Sequence, residues 1–124
     1  MEKTLIVNLT FNCPEISIVG PIKESTIDVL NELIPYSTTS AFCSNPTKAK
    51  FRHVKNPSHW SIKLDGQFCD SEGISRLMVI LMDALDEEGG WTLVSSQSYN
   101  VRSSVPLQQN YVENHKMIFL KSSD

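Results

Sequence analysis

Residues 60–99 read WSIKLDGQFCDSEGISRLMVILMDALDEEGGWTLVSSQSY, and the hydrophobic period changes twice within them. Trp60, Ile62 and Leu64 alternate with Ser61 and Lys63, the two-residue period of a half-buried strand. After a turn at Asp65-Gly66, Ile74, Leu77, Met78, Leu81, Met82 and Leu85 recur at i, i+3, i+4, i+7, i+8 and i+11. That spacing predicts a helix over Glu72 to Glu88, with Glu72, Arg76, Asp83, Asp86 and Glu87 opposite its apolar face. Asp70 or Ser71 is placed to cap its start, and Gly89 suits the left-handed position just past its end. Trp91 then opens a second strand. Six large apolar side chains on one face represent on the order of 10 kcal/mol of gross transfer free energy, at roughly 1.5 to 3 kcal/mol each. This strand, helix and strand therefore carry the core.

On the N-terminal side, Leu5, Val7, Leu9 and Phe11 alternate with Asn8, Thr10 and Asn12, predicting a strand that Pro14 interrupts. Ile16 to Val19 is a β-rich run closed by Gly20-Pro21, readable as a small strand or as an extended connection. Ile27, Leu30, Leu33 and Ile34 predict a helix from Ser25 to Ile34, ended because Pro35 disfavours the α conformation in the residue before it. Tyr36 to Thr47 shows neither period, and Lys50 to Val54 reads as a short edge strand set off by Asn56-Pro57. On the C-terminal side, Trp91, Leu93 and Tyr99 are expected to point one way, with Thr92, Ser96 and Ser98 the other. Lys116 to Lys121, apolar at four successive positions, reads as a central strand covered on both sides.

The order strand, helix, strand, strand, helix, strand, strand resembles the split β-α-β arrangement of ferredoxin-like domains, with one strand added. The reading is a single α+β domain over residues 1–124, a mainly antiparallel sheet of four or five strands with two helices packed on one face. RNA recognition motifs within that class carry stacking aromatics in a glycine-aromatic signature on two central strands. Leu5-Ile6-Val7-Asn8-Leu9, Trp60-Ser61-Ile62-Lys63-Leu64 and Met117-Ile118-Phe119-Leu120 do not carry that signature.

With 40% apolar and 20% charged residues, the chain has globular proportions, which exclude disorder and coiled coil as its overall class. Its longest apolar runs, Leu77 to Met82 and Met117 to Leu120, fall far short of the roughly 20 residues that span a bilayer. Met1 to Leu5 lacks the features of a signal peptide, and Cys13, Cys43 and Cys69 show no C-x-x-C spacing. Three free thiols in the cytosol or nucleus are the expectation.

The net charge of −3 offers no global attraction to nucleic acid, but the charge is polarised. Lys48, Lys50, Arg52, Lys55 and Lys63 follow one another without an acid. From Asp65 to Glu88 there are seven acids against Arg76 alone. On a strand, Lys48, Lys50 and Arg52 share a face, making a cationic row that meets phosphates or carboxylates, or else guards a sheet edge. Asp86, Glu87 and Glu88 stand in the last turn of a helix, where each carboxylate opposes the macrodipole at a cost of roughly 0.3 to 1 kcal/mol. A broken local rule marks either a binding surface or a tolerant solvated turn.

Cys43, His53, His59 and Cys69 are spaced C-x9-H-x5-H-x9-C, looser than structural zinc sites, and no metal or cofactor is assigned. Cys43 with one of these histidines is the single arrangement for nucleophilic catalysis, and neither a neighbouring base nor a helix N-terminus is evident to activate it. G-x-S-x-G, P-loop, G-x-G-x-x-G and H-E-x-x-H signatures are absent, so no catalytic residue is assigned. The expectation is a non-catalytic protein-interaction module or small adaptor. Its partner surface would be Lys48, Lys50, Arg52, Lys55, Asp86, Glu87 and Glu88, with the 36–58 segment either a binding loop or a connection. The alternatives are nucleic-acid binding through Lys48 to Lys55 and, third, a thiol enzyme using Cys43. A second copy of the chain is a further candidate partner; a membrane is not.

Overall fold

A computed structural model describes residues 2–10, 14–37, 49–55, 57–64, 71–102 and 111–122. The N-terminal alternation forms β1 (Glu2–Thr10), with Leu5, Val7 and Leu9 all buried. It is followed by β2 (Glu15–Val19), α1 (Glu24–Leu33) and a 3-10 turn (Ile34–Tyr36). Next come β3 (Arg52–Val54), β4 (His59–Lys63), α2 (Ser71–Glu88), β5 (Trp91–Arg102) and β6 (Tyr111–Ser122). The strands form one six-stranded antiparallel sheet in the order β3-β4-β2-β1-β6-β5. It consists of three hairpins side by side, the first of them in the centre. α1 leads from the first hairpin to the second, and α2 carries the chain from one side of the sheet to the other.

The sheet thus has six strands where four or five were expected, and β2 is the reason. Ile16 and Ile18 are 0% and 1% exposed, and the strand is paired on both sides, Ile18 opposite Val7 of β1 and Ile16 opposite Ile62 of β4. A five-residue strand is too short to announce itself by period, but two buried isoleucines on one face fix its register. The split β-α-β resemblance holds around α1, where β4 lies between β2 and β3. It does not hold around α2, whose crossover passes β2, β1 and β6.

Both helices cover the same sheet face. Ile27, Leu30 and Ile34 from the α1 region and Leu77, Leu81, Ala84 and Leu85 from α2 share one core with Leu5, Val7, Ile16, Ile62, Met117 and Phe119 of the sheet. The buried stripe of α2 is narrower than its apolar sequence: Met78 is half-buried and Met82 is 40% exposed, while Ala84 takes an inward place. β6 is covered on one side, since Met117 and Phe119 are buried but Ile118 and Leu120 are half-exposed on the opposite face. A bulge at Val94 shifts the phase of β5, so that Leu93 opposes Phe119 and Ser96 opposes Met117. Ser96 and Ser98 therefore share a face with Trp91 and Leu93, contrary to the simple alternation.

Two glycines are required by geometry. Gly20 ends β2 at φ +140°, and a Cβ there would lie 2.6 Å from the Thr4 carbonyl oxygen. Gly89, at φ +91°, donates its N–H to the Leu85 carbonyl and closes α2 as expected. Among the described residues, no helix is long and apolar enough to cross a membrane. Cys13, Cys43, Cys69, Lys48, Asn56, Asp65-Gly66 and Asp70 lie outside the described residues, as does most of the 36–58 segment.

Candidate functional site

The two halves of the expected partner surface come out differently. Lys50 precedes β3, Arg52 lies on it and Lys55 follows it, all exposed. Phe51 between them is a core residue, 6% exposed, and its N–H donates to Asn31 Oδ1 of α1 at 2.7 Å. That anchor holds the edge strand against the helix layer and turns Arg52 to the other face of the sheet. At the far end of α2, Asp86 and Glu87 are exposed, but the Glu88 side chain is turned inward at the base of the crevice between α1 and α2, only 1% accessible.

Glu88 shows why the last-turn rule is broken. Its Oε1 accepts from the Lys23 N–H and from Thr26 Oγ1, both at 2.8 Å, and its Oε2 accepts from Trp91 Nε1 at 2.6 Å. Lys121 Nζ stands 3.6 Å from Oε2 and 5.2 Å from the centre of the Trp91 ring. Lys23 caps α1 without a capping side chain of its own, so a carboxylate from α2 does for α1 what the glutamate of a capping box does. The negative charge that is misplaced at the C-terminus of α2 is well placed at the N-terminus of α1. Burial pushes the Glu88 carboxyl up, but the hydrogen bonds from Lys23, Trp91 and Thr26, with the Lys121 charge, outweigh it and hold its pKa below the usual value. Glu88 is a latch among α1, α2, β5 and β6, and it leaves the candidate surface.

A different set of residues joins Arg52. Arg52 is opposite Ser61, Ser61 opposite Ser17, Ser17 opposite Asn8, Asn8 opposite Lys116, and Lys116 opposite Gln97. Directly opposed residues share a face, so these six side chains cross the whole sheet as one row, with a cation near each end and no acid. The next row on the same face is apolar, Val19 opposite Ile6 and Ile6 opposite Ile118. Toward the other side, Lys63 and Glu15 oppose each other as a charge pair across β4 and β2. No described helix covers this face. Lys116, Asn8, Ser17 and Ser61 were not singled out from sequence, because only strand register brings them together. The single linear signal was a lysine on the phase of β6 opposite to its buried residues.

The histidines do not converge. His53 opposes Trp60 and meets its ring edge-on at 5.1 Å, whereas His59 opposes Val54 on the other face of the hairpin. His53 shares a hydrogen bond with Ser58, and His59 Nδ1 donates to the Pro57 carbonyl. His115 lies between Ser96 (Nε2, 2.7 Å) and Ser98 (Nδ1, 2.6 Å). Both contacts are exposed on the β5–β6 hairpin. Among the described residues, no three His, Cys, Asp or Glu side chains form a group that could hold a metal ion.

No protein-family model matches the chain, and no curated protein matches it by sequence. Its fold is similar to that of a crystal structure of a conserved kinetoplastid-specific protein from Trypanosoma cruzi, with a TM-score of 0.76 and 28% sequence identity. The match covers 98% of this chain and 100% of that one, so the likeness extends over the whole chain.

Proposed function

We propose that the protein is a non-catalytic protein-interaction module of the cytosol or nucleus, binding an acidic partner through the helix-free face of its sheet. The observation that supports this reading is the banding of that face: the polar row from Arg52 to Gln97 runs beside the apolar row Val19, Ile6 and Ile118. Protein interfaces combine an apolar centre with a polar, charged rim, and this face has both in adjacent strips. Lys50 and Lys55 extend the cationic rim beyond the β3 edge. A nucleic-acid reading draws on the same acid-free row, but the row offers no aromatic side chain on which a base could stack.

The test is capture of a partner from source-cell lysate by the wild type, by Ile118→Ser and by a Lys50→Glu/Arg52→Glu double variant. Loss of the same partner in both variants, each shown to be folded, supports the reading, and retention in both refutes it. Binding of a labelled oligonucleotide with log affinity falling steeply against log salt would instead favour the nucleic-acid alternative.

A further inference from the structure

The helix layer has its own surface, separate from the open sheet face. The crevice between α1 and α2 holds two cavities of about 470 and 520 Å³, and Leu33 and Ile80 line both, so they form one continuous groove. Its walls include Val29, Leu33, Tyr36 and Val79, which are 46%, 47%, 64% and 55% exposed. These residues are additional to the core stripe, which Ile27 and Leu30 of α1 and Leu77, Leu81 and Leu85 of α2 already supply. The two helices thus carry more apolar surface than the sheet can cover, gathered along a single line.

The helix layer that carries this groove is predominantly acidic. Glu24, Asp28 and Glu32 of α1 and Glu72, Asp83, Asp86 and Glu87 of α2 are all exposed, and Asp83 and Glu87 line the first cavity, where Lys23 is the cation beside them. Arg76, at the opposite end, is held by the Ser37 carbonyl at 3.0 Å and by Glu72 at 3.8 Å. With 10 and 18 residues, the helices extend about 15 and 27 Å at 1.5 Å per residue, the length of a short docked helix.

We infer that this groove receives an amphipathic helix from a partner protein, apolar on one face and flanked by lysine or arginine. An apolar helix face laid into a groove is a recurring mode of recognition, and acidic rims select basic flanks. A second copy's helix layer carries the same negative sign and repels this one, as does a nucleic-acid backbone.

The probe is a synthetic peptide as long as α2, built of leucine and lysine with leucines at helical spacing. A control has the same composition arranged with a period of two. Binding to the full chain is followed by anisotropy and by methyl NMR. The expected result is saturable binding with Kd below about 100 μM, with shifts centred on Val29, Leu33, Val79 and Ile80. The double variant Leu33→Asp/Val79→Asp, changed at exposed positions, should bind at least about tenfold more weakly while keeping its circular dichroism spectrum. Lys50→Glu/Arg52→Glu should leave peptide affinity intact or improved, which separates this site from the open sheet face. Equal binding of the period-two control, shifts centred elsewhere, or no saturation overturns the inference. So do contacts placing another segment of this chain in the groove, or self-association of the chain through it.

Discussion

On the helix side, Asp83 and Glu87 border a groove walled by Val29, Leu33 and Val79, while on the opposite side Arg52 and Lys116 stand near the ends of a polar row. The two sides differ in sign because of where the acids and cations fall along the chain. Most of the acids belong to the helices, and Arg52, Lys63 and Lys116 belong to strands whose buried phase is apolar. A layered architecture places helices and the uncovered sheet face on opposite sides of the core, so a polarity along the sequence becomes one across the molecule. A net charge of −3 conceals two local fields, and fields of opposite sign select different partners.

The core between the two sides should respond most strongly to change. Leu81 is fully buried between α2 and the sheet, and Leu81→Ala should cost about 2 to 5 kcal/mol in denaturant unfolding. Two residues earlier on the same helix, Val79 is 55% exposed, and Val79→Ala should stay within about 0.5 kcal/mol. If the two substitutions cost the same, the division of α2 into a core stripe and a groove wall is wrong.

Glu88 sharpens the comparison further, because it sits in one helical turn with Asp86 and Glu87 yet faces inward. Glu88→Ala strands the Trp91 indole N–H and the Lys23 and Thr26 donors, and should cost about 1 to 3 kcal/mol. Glu87→Ala removes an exposed carboxylate and should fall within about 0.5 kcal/mol of wild type. Equal costs would mean that the latch contributes nothing measurable.

These pairs also show where the sequence could be read and where it could not. The strand of Trp60 to Leu64, the 18-residue α2 and its stop at Gly89 follow from periods and caps that are local properties of the chain. β2 needed its neighbours to become a strand, and the phase of β5 turned on one extra residue, Val94, which no alternation rule anticipates. Lys50, Arg52 and Lys55 are exposed as a strand reading implies, but Glu88 looked like surface because two of its partners, Thr26 and Lys23, lie 62 and 65 residues away. An anomalous charge in a linear pattern shows only that a compensating contact is needed. It does not show whether a partner protein or the chain itself supplies that contact.

The latch has a pH signature of definite sign. The folded-state pKa of Glu88 lies below its ordinary value of 4.5, so its contribution is present in full above that value and is lost as pH falls through the lower, folded pKa. Glu88→Gln should therefore be less stable than wild type at neutral pH, with the difference narrowing on acidification below about pH 4.5. Urea midpoints of the two proteins measured between neutral and strongly acidic pH provide the check. A difference that stays constant or widens toward acid would contradict the lowered pKa.

The smallest effect on stability, and the most direct test of the cationic side, is expected from Lys50→Glu/Arg52→Glu. Both side chains are exposed, so unfolding free energy should change by no more than about 0.5 kcal/mol. Their influence should appear in kinetics, because rim charges steer encounter more than they hold a complex together. Against an acidic partner, the double reversal should slow association by about tenfold at low salt, leave the dissociation rate nearly unchanged and flatten the dependence of association on ionic strength. The same reversal replaces cations at the β3 edge that protect it against pairing with other strands, but it retains charge there, so it should not promote aggregation. An unaltered association rate in a folded double variant would leave the open sheet face without its electrostatic role.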